Sequence, residues 1–237
     1  MLIRSVFYNA VMWIAVILYA PLALLTAPFP FAWRYRFIVQ WPRFHIWLAW
    51  RLLGIRYHVE GREHLPHGAA IVLSKHQSVW ETFALPGILP PFTFVLKREL
   101  LWVPLFGWAL ALLKPIAINR GAHRLALEQL IEQGRARLQE GLWVVIFPEG
   151  TRVAPGHRRP YKGGGGLLAA ETGYPVVPIA HNAGSYWPRR SLVRRPGIIH
   201  VVIGPMIHTK GKKSQEILHE AEKWIEHTVA RLERAPD

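Results

Sequence analysis

The sequence has no cysteine. That excludes disulfides, thiolate metal sites and a cysteine nucleophile. Acid is scarce as well. Asp and Glu number 15 against 29 Lys and Arg, a formal charge of +14. Residues 1–59 hold six arginines and no acid, and none lies between Glu171 and Glu216. An imbalance of this size calls for an anionic partner: nucleic acid, anionic lipid or a phosphorylated substrate. Nucleic-acid binders of such charge are seldom this greasy. Here 51% of residues are hydrophobic and 11 are Trp, and no nucleic-acid motif is present. The balance tilts toward membrane. There is no internal repeat, and the glycines at 163–166 are the one low-complexity patch.

The chain has the length of one domain, or one domain with an appendage. Its first 33 residues carry a single charge, Arg4. The apolar run at 6–20 has the look of a signal-peptide core, but prolines follow it in place of a small-residue cleavage site. A helix there should end or kink near Pro21, at the short limit for a bilayer span. Trp33, Tyr35, Phe37, Trp41, Phe44, Trp47 and Trp50 come next, with Arg34, Arg36, Arg43 and Arg51 among them. Rings mixed with arginine suit a headgroup layer. Two helices, 2–26 and 31–53, are expected as a membrane anchor. A full span and a re-entrant hairpin both fit. Two core helices of a soluble protein are disfavoured because the apolar run has no polar face.

From residue 54 the pattern changes to short apolar runs between helical stretches. Strands are expected at 55–59, 69–73, 92–96, 116–118, 143–147, 176–180 and 198–203. Amphipathic helices are expected at 124–139 and 214–234, and the glycine patch reads as a helix start packed close to a neighbour. This alternation predicts an α/β fold, a mixed sheet flanked by helices. The domains are then 1–53, the anchor, and 54–237.

Chemistry collects where strands end. The run at 69–73 feeds into Ser74-Lys75-His76-Gln77-Ser78-Val79-Trp80-Glu81. His76 falls where the backbone leaves the sheet, the usual place for an α/β active site. Glu81, in the first turns of a helix, could hold one imidazole nitrogen and leave the other to accept a proton from a hydroxyl. Lys97 ends another strand, beside Glu99. On an adjacent strand it would bring an ammonium near the imidazole, suited to phosphate. Asn119-Arg120 ends a third. Phe147-Pro148-Glu149-Gly150-Thr151-Arg152 makes a fixed turn after a fourth, and Arg152 can grip a phosphate in bidentate fashion. One base, one acid and several cations fit a phosphorylated substrate with a reactive hydroxyl.

Taken together, His76-x₄-Glu81, Lys97-x-Glu99-Leu100, the segment 116–120, Phe147 to Arg152, and Val177-Pro178-Ile179 have the order and spacing of the four blocks of the glycerolipid acyltransferase family. The resemblance covers roughly residues 55–210, with a similar two-helix N-terminus. The family's first block usually closes on Asp; Glu81 stands there, as in some members that resemble this chain. Within the family the chain is similar to the bacterial enzymes that acylate lysophosphatidic acid. The resemblance implies a membrane-dipping helical hairpin under an αβ domain, on the cytoplasmic face of a bacterial inner membrane. It implies His76 as general base, oriented by Glu81, and direct attack by the alkoxide on the thioester of acyl-CoA or acyl-carrier protein. Lys97 and Arg152 would hold the acceptor phosphate, with Arg120 in support. Glu149, Gly150 and Thr151 would shape the acceptor pocket. No metal or cofactor is called for, and the partners are lysophosphatidic acid, the thioester donor and membrane phospholipid.

Three other readings compete. A hydrolase using Ser78 and His76 lacks a G-x-S-x-G elbow. A non-catalytic binder of anionic lipid would not need His76 and Glu81. A related acyltransferase acting on another lysolipid fits the same residues.

Overall fold

The structure, a computed structural model, describes residues 1–119, 121 and 123–234. Helix α1 (Leu2–Leu24) runs through Pro21 for three further residues, so the proline does not end it. Two shorter helices, α2 (Phe31–Ile38) and α3 (Gln40–Leu48), replace the single expected one, and a π-turn (Ala49–Leu53) closes the segment. The break at Val39 places Pro42 in the first turn of α3, where its missing N–H leaves no bond unmade. The segment runs back along α1. Tyr8 Oη donates to His45 O at 3.1 Å and Tyr19 stacks on Phe37.

The rest is a seven-stranded sheet, ordered β1-β7-β6-β2-β5-β3-β4. The strands are β1 (Ile55–Glu60), β2 (Ile71–Ser74), β3 (Phe92–Lys97), β4 (Ile116–Ile118), β5 (Trp143–Ile146), β6 (Val176–His181) and β7 (Gly197–Ile203). Pairing is parallel except between β6 and β7. Helices α4 (Trp80–Ile88), α5 (Phe106–Ala111), α6 (His123–Gln139), α7 (Gly164–Thr172), α8 (Ala183–Tyr186) and α9 (Ser214–Arg234) complete the chain.

Both faces of the central strands β2, β5 and β6 are covered. Val72, Val145 and Ile179 point into one core with Trp80, Leu85 and Trp187. Their neighbours Ile71, Leu73, Val144 and Ala180 point into the other, with Leu168 of α7 and Ile217, Ala221 and Ile225 of α9. Burial on both faces is why these strands read as unbroken apolar runs. The glycines at the start of α7 permit close approach. A Cβ on Gly166 would lie 2.4 Å from Ser214 O, and one on Gly165 2.6 Å from Leu73 Cδ2.

The N-terminal helices belong to this packing. Tyr8, Ala49 and Leu53 are buried in the first core. Arg194, in the acid-free stretch between Glu171 and Glu216, is buried, its guanidinium 4.2 Å from the Trp187 ring and 4.9 Å from the Tyr8 ring. It donates to Ser5 O and Asn9 Oδ1. The outer face of α1 stays bare, with Trp13, Ile14, Ile17, Leu18 and Leu22 each more than half exposed. By length and composition α1 is able to cross a bilayer.

Candidate active site

Strands β6, β2, β5, β3 and β4 point one way, so their C-terminal ends share an edge. That edge receives His181, His76, Glu149 and Lys97.

His76 follows β2, its ring stacked on Phe147 at 4.0 Å and 16°. Its Nδ1 lies 2.8 Å from Glu81 Oε1. The same oxygen accepts from Gln77 N at 3.0 Å and Ser78 N at 2.9 Å. A carboxylate at the first turn of α4 suits both the free N–H groups and the helix dipole. Burial raises the Glu81 pKa. The charge of His181, the His76 bond and the Ser78 N–H outweigh that and hold the carboxyl below its ordinary range. An ionised oxygen facing Nδ1 fixes the ring proton there. Nε2 is then the basic nitrogen, on a ring still partly open to solvent.

Glu149 is fully buried and turned inward. Its Oε2 accepts from His76 N at 2.8 Å, and its Oε1 lies 2.7 Å from Lys75 Nζ. Burial pushes the Glu149 pKa up against the pull of Lys75. The turn after Glu149 needs a left-handed residue, and Gly150 supplies it at φ 68°. Thr151 follows, partly exposed. Val153 N then returns to His76 O at 2.7 Å, so the two motif loops are stitched together. Arg152 is half-buried between them. Burial lowers its pKa, Arg189 and Arg190 lower it further, and Glu81 raises it. Arg152 thus lies within electrostatic reach of the Glu81 carboxylate, with Arg189 and Arg190 close to it in turn.

The adjacent strand ends that would bring Lys97 beside His76 are not found, whereas the strands leading to His76 and Glu149 are neighbours. Strand β5 lies between β2 and β3, so Lys97 stands two strands away, about 10 Å at the level of the sheet. Its ammonium is exposed, 3.4 Å from Glu99 Oε1. Arg120 lies outside the described residues. Ser78 is buried, and its hydroxyl donates to Trp187 O at 2.6 Å and accepts from Trp80 N at 3.1 Å. That leaves no free hydroxyl at Ser78 for His76 to activate. A groove of about 720 Å³ opens elsewhere, between α3, β1 and α4. Its lining of Trp47, Trp50, Tyr57, Arg43 and Arg56 includes neither His76 nor Glu81.

Several site residues escaped the sequence reading. Lys75 and Gln77 flank His76 and are buried, as is His181. His181 Nε2 donates to Lys75 O at 2.9 Å. A lysine following a buried strand was the available signal, because such a charge needs a buried partner.

Residues 56–182 match the family described as Acyltransferase. A 1-acyl-sn-glycerol-3-phosphate acyltransferase of Pseudomonas aeruginosa is 49% identical over 97% of this chain and 91% of its own. This chain belongs to the acyltransferase family. A coconut (Cocos nucifera) protein named 1-acyl-sn-glycerol-3-phosphate acyltransferase is 33% identical over 74% of this acyltransferase, which spans 57% of that relative. The crystal structure of the 1-acyl-sn-glycerophosphate acyltransferase of Thermotoga maritima superposes with a TM-score of 0.82. It covers 100% of this chain and 97% of that one at 23% identity. It shares the fold of this acyltransferase.

Proposed function

We propose that this acyltransferase moves an acyl chain from a thioester, acyl-CoA or acyl-carrier protein, to the free hydroxyl of 1-acyl-sn-glycerol-3-phosphate, giving phosphatidic acid. The observation that carries it is the His76–Glu81 pair at 2.8 Å on the C-terminal edge of the sheet, beside a cationic cluster. The Pseudomonas relative's name supports the acceptor. His76 Nε2 takes the hydroxyl proton as the oxygen attacks the thioester carbonyl. Glu81 steadies the imidazolium. The tetrahedral centre collapses, the C–S bond breaks, and the leaving thiolate recovers the proton from Nε2. No acyl-enzyme intervenes; the chain has no cysteine, and Ser78 is tied to Trp187.

Arg152 binds the acceptor phosphate as a planar fork, with Lys97 adding charge from the end of β3 and Arg120 in support. Glu149, Gly150 and Thr151 shape the pocket through the turn they form, Glu149 from beneath and without touching substrate. The enzyme works on the cytoplasmic leaflet of a bacterial inner membrane, held there by residues 1–53. The domain at 54–237 carries the chemistry.

The test is transfer assayed in membranes with a panel of lysolipid acceptors and both thioester donors. His76→Ala should lower kcat about 10²–10⁴-fold. Arg152→Ala should raise the KM for the lysolipid about ten- to hundredfold and leave that for the thioester nearly unchanged. Retention of a tenth of the activity in His76→Ala, or an acceptor preference that ignores the phosphate, defeats the reading.

A further inference from the structure

Helix α9 lies beyond the segment that matches the family, residues 56–182. Its carboxylates nevertheless reach both chain neighbours of His76. Lys75 Nζ lies 2.8 Å from Glu226 Oε1, and Tyr161 Oη donates to the same oxygen at 2.9 Å. Gln77 Nε2 donates to Glu233 Oε1 at 2.7 Å, while Gln77 Oε1 accepts from Gly184 N at 3.1 Å. Glu233 Oε2 accepts from Gly156 N at 2.9 Å, in the loop that carries Arg152. The two glutamates stand about two turns apart on one face of α9.

Anchoring the helix does not require them. Ile217, Ala221, Ile225 and Val229 already bury an apolar stripe against the sheet. Buried ion pairs replaced by well-packed apolar groups are often neutral or better for stability. A lysine held between two glutamates, next in chain to a histidine on the active edge, is a costly way to fix a helix. It is an effective way to fix a loop. Gln77 N and Ser78 N share the Glu81 oxygen that holds His76, so a shift of that loop misaligns the base and its partner together.

We infer that Glu226 and Glu233 are positioning residues: from α9 they hold Lys75 and Gln77, and so set the placement of His76 against Glu81 and of the Arg152 loop against both. This rests on the reading of His76 as the base. A misplacement of about 1 Å at a reacting group lowers the rate on the order of 10²-fold.

The full-length enzyme in nanodiscs tests it by two measurements. In kinetics, Glu233→Ala should lower kcat about 10- to 100-fold with both KM values nearly unchanged. Glu233→Gln, which keeps an acceptor oxygen, should recover most of the loss. The double variant Gln77→Ala/Glu233→Ala should be no slower than the slower single one. In hydrogen–deuterium exchange, Glu233→Ala should raise exchange in the peptide around residues 75–81, with the β5 and β6 peptides unchanged. A normal kcat in Glu233→Ala overturns the inference. So does a loss that merely follows the unfolded fraction, or unaltered exchange around His76. An inactive wild type, or activity that survives His76→Ala, defeats the functional reading instead; the exchange measurement then decides alone whether α9 holds the loop.

Discussion

His76 and Ser78 stand two residues apart, and their surroundings assign them different work. The Ser78 hydroxyl is spent on Trp187 O and Trp80 N, where it ties the start of α4 to the loop after α8. Ser78→Ala should therefore keep wild-type kcat and lose only stability, about 1–2 kcal/mol. The melting temperature would fall by about 2–8 °C. Loss of turnover in a folded Ser78→Ala protein would revive an acyl-enzyme route. Glu81 gives a sharper contrast. Glu81→Gln keeps the length and an oxygen for the backbone N–H groups but loses the charge facing His76. Its kcat should drop about 10²–10⁴-fold, and Glu81→Asp should be milder, since Asp is the family's usual residue there. His181 bears on pH. Burial holds its pKa below the ordinary 6.5; Glu81 pulls it up, while His76 and Lys75 push it down. The unfolded chain thus takes up more protons than the folded one once the pH drops below about 6.5. Stability from neutral His181 is present above that pH and is lost as pH falls through the lowered folded value. The melting temperature should decline between about pH 7 and pH 5.5, and decline less in His181→Gln. An equal slope in both proteins would remove His181 as the cause.

At the level of elements, the central strands β2, β5 and β6 were legible because strands buried on both faces leave uninterrupted apolar runs. The 214–234 helix showed its stripe at Ile217, Ala221, Ile225 and Val229 in the same way. The tight helix start at the glycine patch could be read because only a close neighbour makes side chains there intolerable. Strand order could not be read, and it separates Lys97 from His76. The roles of Glu226 and Glu233 were also hidden. On the sequence they look like Glu220 and Glu222, ordinary charges of an amphipathic helix, and their partners lie at Lys75 and Gln77, some 150 residues away. The break at Val39 and the passage of α1 through Pro21 turn on local backbone bonds that hydropathy does not register. The Lys75 pair is also a stability element. Lys75→Met would leave the buried Glu149 without its cation and Glu226 with only the exposed Arg158 at 3.6 Å, at a cost of about 3–5 kcal/mol. Thermal unfolding should show a drop on the order of 10 °C. A Lys75→Met protein as stable as wild type would mean that the carboxylates simply take up protons.

The molecule as a whole presents two kinds of surface to a membrane. One is apolar: the bare face of α1, and the exposed rings of Phe44, Trp47 and Trp50 on the returning segment. The other is basic. Arg190 and Arg195 bracket the exposed Leu192 and Val193 in a loop whose Arg194 grips Ser5 and Asn9 of α1. That grip makes α1 a part of the folded protein, and it sets the charged loop beside the apolar helix. Each basic residue near an anionic leaflet contributes about 1 kcal/mol, screened by salt. The apolar face contributes in proportion to buried area, which salt does not screen. The two are separable in the intact chain. Membranes carrying the wild type should keep it through a high-salt or carbonate wash and release it in detergent. Placing charge on the bare face with Ile14→Glu and Leu18→Glu, side chains outside both large cores, costs about 2–3 kcal/mol each if α1 sits at the bilayer centre. The doubly substituted protein should then come off in salt, still folded and still bound to anionic vesicles at low ionic strength. Its activity should persist on detergent-dispersed lysolipid and fall on bilayer substrate. Release of the wild type by salt alone would show that the exposed face of α1 does not enter the lipid, and that charge is all that holds this enzyme to its substrate surface.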